Sequence, residues 1–195
     1  MKYSIDLKVP SSQAWLDAVM ADFDSFLQDH ADCERKASAM ATSLIAKYPD
    51  RQRIIPPMIE TAIEELEHFQ QVFALMQRRG VNLQTEMKED PYIKQLMPLT
   101  HGGTPESRFM SRLLLGSVVE CRGCERFKLV SEAQQDNELK RFYKALWTSE
   151  AKHGNIFVEL ALAYFDEKAV YTRLHEMMEF EGAIIENLPI RAALH

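Results

Sequence analysis

Long apolar runs, glycine and paired cysteines are all scarce in this sequence, and each scarcity excludes a class of protein. No apolar run approaches the roughly 20 residues of a transmembrane helix, so we expect no membrane span. The three cysteines are an odd number and do not suggest a disulfide framework. The first residues also lack the apolar core of a signal peptide. Together these absences favour the reducing cytoplasm.

Positive charge is also in short supply, because 23 Lys and Arg face 29 Asp and Glu and leave a net charge of −6. This balance argues mildly against bulk electrostatic binding of nucleic acid. Basic residues nevertheless cluster locally, at Lys47, Arg51 and Arg53; Arg78 and Arg79; Arg108 and Arg112; Arg122, Arg126 and Lys128; and Lys140, Arg141 and Lys144. Most of these clusters are typical of solvated helix faces and helix C-termini, and a local nucleic-acid patch stays open.

Helix formers are what the sequence has instead. Only 7 of 195 residues are Gly, whereas Met, Leu, Ala, Glu and Gln are abundant, so an all-α fold is favoured. With 46% hydrophobic and 27% charged residues, we expect one domain over residues 1–195 with a sizeable core.

Apolar periodicity and capping residues predict five helices. The predicted ranges are about 11–48, 51–79, 104–134, 136–165 and 166–186. Pro56-Pro57 leaves open a later start of the second helix, and Gly80 is a natural cap at its end. Residues 81–104 are predicted to be a long crossover with one short helix near 89–97, and its length suggests a functional role.

Six side chains carry the chemistry: Glu34, Glu65, His68, Glu120, Glu150 and His153. Four of them form two Glu-x-x-His pairs, whose members share one helix face. In each half of the chain, a further Glu precedes the pair, by 31 residues in the first half and 30 in the second. Two helical hairpins of this kind make the ligand set of a four-helix di-iron site. Carboxylate and imidazole donors without thiolate favour iron or manganese over structural zinc.

Each element of this pattern has an alternative. A single Glu-x-x-His pair is more often a surface pair than a metal site, and only the repeated six-residue set outweighs that reading. Glu125 is a second candidate on the third helix, but its separation of 25 residues from Glu150 would break the match with the first hairpin. We therefore choose Glu120.

Several residues beside the predicted ligands have alternative roles. Cys121 and Cys124 form a mid-helix C-x-x-C, which is a poor zinc or redox motif, and packing is the simpler role for both. Cys124 lies one turn beyond the third predicted ligand and could shape an oxygen-binding face. His30 is either an outer partner of Glu34 or a surface histidine, and Glu64 is either an acceptor for a ligand imidazole or a solvated acid.

With these residues in hand, the chain resembles the ferritin-like superfamily and, within it, the MiaE-type tRNA hydroxylases. The six-residue pattern carries the first resemblance, which covers nearly the whole chain. The second rests on the local sequences HADCERKA, EELEHF and ECRGCERF, at residues 30–37, 64–69 and 120–127. The resemblance implies a ferritin-like four-helix bundle with a long crossover between helices two and three and an extra C-terminal helix.

The resemblance also implies an activity. Members are non-haem di-iron monooxygenases that hydroxylate the isopentenyl group of 2-methylthio-N6-isopentenyladenosine at position 37 of tRNA. Two iron ions on the six ligands, O2 as co-substrate and an external two-electron donor are then expected. A separate reductase is implied, because nothing here looks like a flavin, nicotinamide or iron–sulfur site. Arg and Lys at the helix ends would engage the anticodon stem-loop, with the crossover as a candidate lid.

Three other functions compete with this one. A ferritin-like ferroxidase or iron store shares the ligands but needs a hollow cage, which size-exclusion chromatography detects. A di-iron or di-manganese oxygenase of a small lipid or metabolite shares the site but not the substrate. A helical interaction module would bind no metal, so metal analysis separates it from the rest.

Overall fold

A computed structural model describes residues 6–86 and 89–195 of the chain. In these ranges it contains seven α-helices, one 3₁₀ helix and no strand. The helices are α1 (Gln13–Ala21), α2 (Phe23–Lys47), α3 (Ile55–Arg79), α4 (Pro91–Leu96), α5 (Pro105–Ala133), α6 (Asn137–Leu162) and α7 (Glu167–Asn187), with the 3₁₀ helix at Met97–Thr100. None of the described helices has the length and apolarity to cross a membrane.

The described residues divide into two compact units. We call residues 17–86 and 191–194 the α2/α3 unit, and residues 6–16, 89–190 and 195 the α5–α7 unit. The single domain expected over residues 1–195 stays a prediction.

The α2/α3 unit is an antiparallel helix pair. The Ser38 hydroxyl donates to the Ala62 carbonyl across 2.8 Å, and Arg79 pairs with Asp24 at 3.0 Å near the other end. These two contacts fix which residues of α2 and α3 lie opposite each other. The buried apolar side chains of the two helices include Phe26, Leu27, Ala31, Ala41, Leu44, Met58, Val72, Leu75 and Met76.

The prediction of the first helix was wrong in one respect, because the helix is interrupted at Asp22 and forms two helices, α1 and α2. This residue leaves helical geometry, with φ −135° and ψ 66°, and its carboxylate accepts the Ser25 backbone N–H as the N-cap of α2. The second helix takes the later of the two starts left open, at Ile55, with the two prolines in its first turn. It ends at Gly80 in the left-handed region, with φ 70°, as expected.

In the α5–α7 unit, side-chain caps begin each long helix. Thr104, Asp136 and Asp166 accept backbone N–H groups in the first turns of α5, α6 and α7, as predicted. Hydrogen bonds from Ser131 to the Lys140 carbonyl and from Ser117 to the Gly154 carbonyl set the antiparallel register of α5 and α6.

The predicted crossover contains the short helix expected near residues 89–97, observed as α4. Asp90 caps α4, and Tyr92 and Leu96 pack with Ile184 of α7 in a buried apolar cluster. Residues 87 and 88 of the predicted crossover lie outside the described residues. The end of α6 at Leu162 is slightly earlier than predicted.

Candidate metal centre

The α2/α3 unit brings three predicted ligands together, namely Glu34 from α2 and Glu65 and His68 from α3. All three are buried, and each offers a ligand atom within 4.8 Å of the others. The His68 Nδ1 atom lies 3.5 Å from a Glu65 oxygen and 3.7 Å from a Glu34 oxygen. The antiparallel register of the unit produces this arrangement, since Ser38, one turn after Glu34, contacts Ala62, one turn before Glu65. We call these residues the first triad.

A buried histidine supports this triad. His30, one turn before Glu34, is wholly buried and donates from Nε2 to a Glu34 oxygen at 2.6 Å. This contact decides between the two roles that the sequence left open for His30, because the side chain is no surface group. A hydrogen bond of this kind holds a carboxylate in one orientation. Glu64 is half-exposed, and its suggested role stays a prediction.

The α5–α7 unit brings together the other three predicted ligands, Glu120 of α5 and Glu150 and His153 of α6. All are buried, again with ligand atoms within 4.8 Å of one another. The His153 Nδ1 atom lies 3.0 Å from a Glu150 oxygen. The Ser117–Gly154 hydrogen bond at 2.6 Å sets the register of the two helices. Ser117 lies one turn before Glu120, and Gly154 lies one turn after Glu150. These residues form the second triad.

The alternative ligand Glu125 points elsewhere. Its carboxylate accepts the Ser11 backbone N–H at 2.8 Å and the Ser11 hydroxyl at 2.7 Å, and it pairs with Arg122 at 3.0 Å. It therefore serves to hold the N-terminal segment on α5.

The donor chemistry of each triad fits a divalent iron ion. Two carboxylates and one imidazole are hard-to-intermediate donors, which suit iron or manganese. Buried carboxylates are costly unless they are paired or bound to metal, so a cation would offset the negative charge of each triad. No cysteine sulfur belongs to either triad, and thiolate is the donor that structural zinc sites commonly use.

The two cysteines of α5 are neutral thiols. Burial raises the pKa of Cys121 to about 12 and that of Cys124 to about 11, with nearby carboxylates adding to the effect. Cys124 donates weakly to the Trp147 carbonyl at 3.5 Å. A thiol with such a pKa is a poor nucleophile and redox group at neutral pH, which fits the packing role. Its part in shaping an oxygen-binding face stays a prediction.

The sequence did not predict a buried charge network beside the second triad. Arg122 is 0% exposed and donates to Glu181 of α7 at 2.7 Å, to the Val9 carbonyl at 2.7 Å and to Glu125 at 3.0 Å. Tyr92 also donates to Glu181, at 3.1 Å. Burial opposes the charge of Arg122, but its carboxylate partners outweigh that effect and raise its pKa. The one signal in the sequence was Glu181, an acid within the apolar stripe of α7.

The same network changes the reading of one basic cluster. Arg126 is 5% exposed, lies 4.6 Å over the Trp15 ring and donates to the Ser11 hydroxyl. Burial, followed by the charge of Arg122, lowers its pKa to about 10. The interpretation of this cluster as a solvated helix face was therefore wrong for Arg122 and Arg126, whereas Lys128 is exposed.

Comparisons with known proteins agree on one family. The chain matches the family described as tRNA-(MS[2]IO[6]A)-hydroxylase (MiaE) over residues 2–195. A protein of Pseudomonas putida named tRNA 2-(methylsulfanyl)-N(6)-isopentenyladenosine(37) hydroxylase is 40% identical over 161 residues, which cover 83% of this chain and 77% of that protein. A Salmonella typhimurium protein of the same name is 26% identical over 206 residues, covering 80% and 74%.

A solved structure extends the similarity to the fold. It is titled "Protein 43 with aldehyde deformylating oxygenase activity from Synechococcus" and matches with a TM-score of 0.91 and 30% identity, over 97% of this chain and 94% of that one. This match confirms the all-α, ferritin-like class expected from the sequence.

Proposed function

The chain belongs to the MiaE family of tRNA hydroxylases, and on that premise we propose that it is an O2-dependent di-iron monooxygenase. Its substrate would be 2-methylthio-N6-isopentenyladenosine at position 37 of tRNA, hydroxylated on the isopentenyl group in the cytoplasm. The observation that carries the proposal is the repetition of one buried donor set, two carboxylates and one imidazole, in both units. One set alone would be an ordinary buried cluster.

The two triads would together hold two iron ions. Their six side chains are Glu34, Glu65, His68, Glu120, Glu150 and His153. When bound, the iron pair would activate O2 and supply the oxygen atom that enters the C–H bond. Monooxygenation forms one alcohol and one water, so it balances only with two electrons and two protons from outside. We assign their delivery to a separate reductase.

The residues of the chain have supporting tasks in this scheme. His30 holds the Glu34 carboxylate in place through its 2.6 Å hydrogen bond. The apolar side chains Leu113, Phe127, Leu146 and Phe157 are almost wholly buried in the α5–α7 unit and keep bulk water from the second triad. Cys124 stays a neutral thiol and adds no competing charge.

The tRNA would be bound through its anticodon stem-loop. An unstacked loop nucleotide can be held by stacking and a few local basic contacts, so the net charge of −6 is no obstacle. Exposed basic side chains remain available at Lys140, Arg141 and Lys144 of α6. Replacing two of these by Ala is expected to weaken tRNA binding and to leave bound iron unchanged. The crossover over residues 81–104 would serve as a lid.

Reconstitution tests the activity. Apoprotein is loaded with Fe(II) without oxygen, then given a reductant, O2 and tRNA that carries the isopentenylated nucleoside. Mass analysis of the digested tRNA should show a nucleoside heavier by one oxygen atom, labelled when ¹⁸O2 is used. Loaded iron and consumed O2 without this product would refute the substrate, and absence of iron binding would refute the metal centre.

A matched pair of variants ties the product to the first triad. Glu65→Gln changes a buried predicted ligand, whereas Glu67→Gln changes an exposed acid two residues away. We expect Glu65→Gln to lose iron and product, and Glu67→Gln to keep both.

A second candidate function is favoured by the solved structure, whose title gives an aldehyde deformylating oxygenase activity. The same loaded protein would then remove the formyl group of an aldehyde. Product from the aldehyde, with none from tRNA, would favour this candidate.

A further inference from the structure

Trp147 of α6 is a half-buried aromatic side chain with a cation on its ring. The Lys128 ammonium, from exposed Lys128 on α5, lies 5.5 Å from the centre of the indole. The other tryptophan is different, since Trp15 is only 4% exposed and is covered by the buried Arg126. Trp15 therefore belongs to the core, whereas Trp147 keeps part of its surface in water.

The position of Trp147 relates it to the second triad. It precedes Glu150 by three residues, a rise of about 4.5 Å along the helix axis. His153 follows Glu150 by the same distance, in the opposite direction along the axis. Cys124, one turn after Glu120, contacts the Trp147 carbonyl at 3.5 Å. Trp147 thus lies one turn before Glu150 on α6, and its backbone carbonyl lies beside Cys124 of α5.

The surroundings of Trp147 are basic. Exposed Lys144 lies three residues before it and shares its side of α6, and exposed Arg141 lies one turn earlier. Lys128 adds a charge from α5. The acid Glu125 lies three residues before Lys128 on α5 and forms an ion pair with Arg122 at 3.0 Å.

We propose that Trp147 and Lys128 form a stacking platform for a nucleobase of the anticodon loop, with the Lys128 ammonium taking the adjoining phosphate. This inference rests on the proposed function and names how its substrate is held. Aromatic faces beside basic groups bind unstacked bases of single-stranded RNA, because every base offers a flat π-face and every nucleotide a negative charge. A base on the indole would lie at a residue that is one helical turn from Glu150 along α6.

Indole fluorescence tests the stacking directly. In a Trp15→Phe background, Trp147 is the one remaining tryptophan of the two in the chain. Titration of the iron-loaded protein with a synthetic anticodon stem-loop carrying the isopentenylated nucleoside should quench its emission in a saturable manner. A stem-loop that binds by anisotropy and leaves the emission unchanged would overturn the proposal.

Substitutions separate stacking from packing. Trp147→Ala is expected to raise Kd and KM for the stem-loop about tenfold or more, the range found for single base–aromatic stacks, with a smaller change in kcat. Trp147→Phe retains a ring and should stay within about threefold of the wild type. Phe180→Ala, at an aromatic that is 44% exposed on α7, is the matched control and should bind normally. Equal losses in Trp147→Ala and Trp147→Phe, or none in either, would overturn the platform.

The phosphate contact has its own readout. Lys128→Ala should reduce the slope of log Kd against log salt by about one charge, whereas Lys168→Ala, at an exposed lysine of α7, should leave it unchanged. Failure of the platform is distinguishable from failure of the proposed function. In the first case the wild type hydroxylates tRNA and the Trp147 variants do so equally well; in the second the wild type binds and quenches but gives no product.

Discussion

The two long helix pairs carry the same ligands in different surroundings. One turn before Glu34, α2 has His30, which donates to that carboxylate. One turn before Glu120, α5 has Gly116, where an added Cβ would come within 2.9 Å of the Phe157 ring. The first triad thus has a polar support at this position, and the second has a close apolar contact.

The outer surfaces of the pairs differ as well. The exposed side of α3 carries apolar Ile59, Ile63 and Leu66, with the acids Glu60 and Glu67 beside them. The exposed side of α6 carries basic residues and the half-buried indole described above. The two helix pairs therefore share one buried donor set. Their exposed sides differ in charge and in apolar character.

The largest loss of activity should come from replacing Glu34 or Glu120, the glutamate of each triad that lies outside the Glu-x-x-His pair. Glu34→Ala and Glu120→Ala are each expected to lower activity by more than about 100-fold, since the loss of an outer partner alone costs 10- to 100-fold. Iron per chain and product per minute measure this. Glu125→Gln, on the same helix as Glu120, is the control and should keep its iron. Full activity in either alanine variant would break the equivalence of the two triads.

Next in size is the buried ion pair of the α5–α7 unit. Arg122→Met leaves Glu181 buried without its charged partner, with only the Tyr92 hydroxyl still donating to it among the contacts described above. We expect a loss of about 3–5 kcal/mol in the free energy of unfolding. Asp24→Asn breaks the exposed pair with Arg79 in the α2/α3 unit and should cost at most about 1 kcal/mol. Urea denaturation compares the two. The double variant Arg122→Met/Glu181→Leu should recover most of the loss, and equal costs for the two pairs would contradict the burial argument.

Loss of the hydrogen bond from His30 to Glu34 should have an intermediate effect on iron affinity. His30→Ala removes the donor to Glu34 and is expected to weaken iron binding about 10- to 100-fold. Competition with a chelator measures the affinity. His175→Ala, at an exposed histidine of α7, should leave it unchanged. If both variants held iron equally well, His30 would be a packing residue only.

The smallest effect concerns the glycines of α5. Gly116→Ala gains up to about 1 kcal/mol of helix propensity but forces the buried Phe157 ring to move, at a cost of about 1–3 kcal/mol. Gly123→Ala meets no atom within 4 Å and should stabilise the helix by up to about 1 kcal/mol. Thermal unfolding should therefore shift in opposite directions. A stabilised Gly116→Ala would show that the ring gives way freely.

Local chemistry made much of the fold predictable. Helix starts are indicated by Thr104, Asp136 and Asp166, because short polar side chains accept hydrogen bonds from the free backbone N–H groups of a first turn. A helix end is indicated by Gly80, because glycine adopts a positive φ without strain. The break at Asp22 was missed because apolar periodicity continues across it, and only the local cap distinguishes an interrupted helix from a continuous one.

For the site, spacing along the helices predicted the three residues that the structure brings together in each unit. The matched separations also favoured Glu120 over Glu125, and the structure places Glu125 on the N-terminal segment. Sequence could not reveal that Arg122 and Arg126 are buried. A charged residue faces inward only when partners from other parts of the chain meet it there, and those partners are more than 50 residues away in the case of Glu181.

The buried guanidinium of Arg122 also limits how early the chain can complete its folding during synthesis. It collects acceptors from the beginning of the chain, at Val9, and from near its end, at Glu181. The ribosome must therefore have synthesised the chain from Val9 through Glu181 before this cation can contact all these acceptors. Until then we expect the segment around Arg122 to stay solvated in the nascent chain. Chains truncated before α7 should therefore be cleaved readily by proteases.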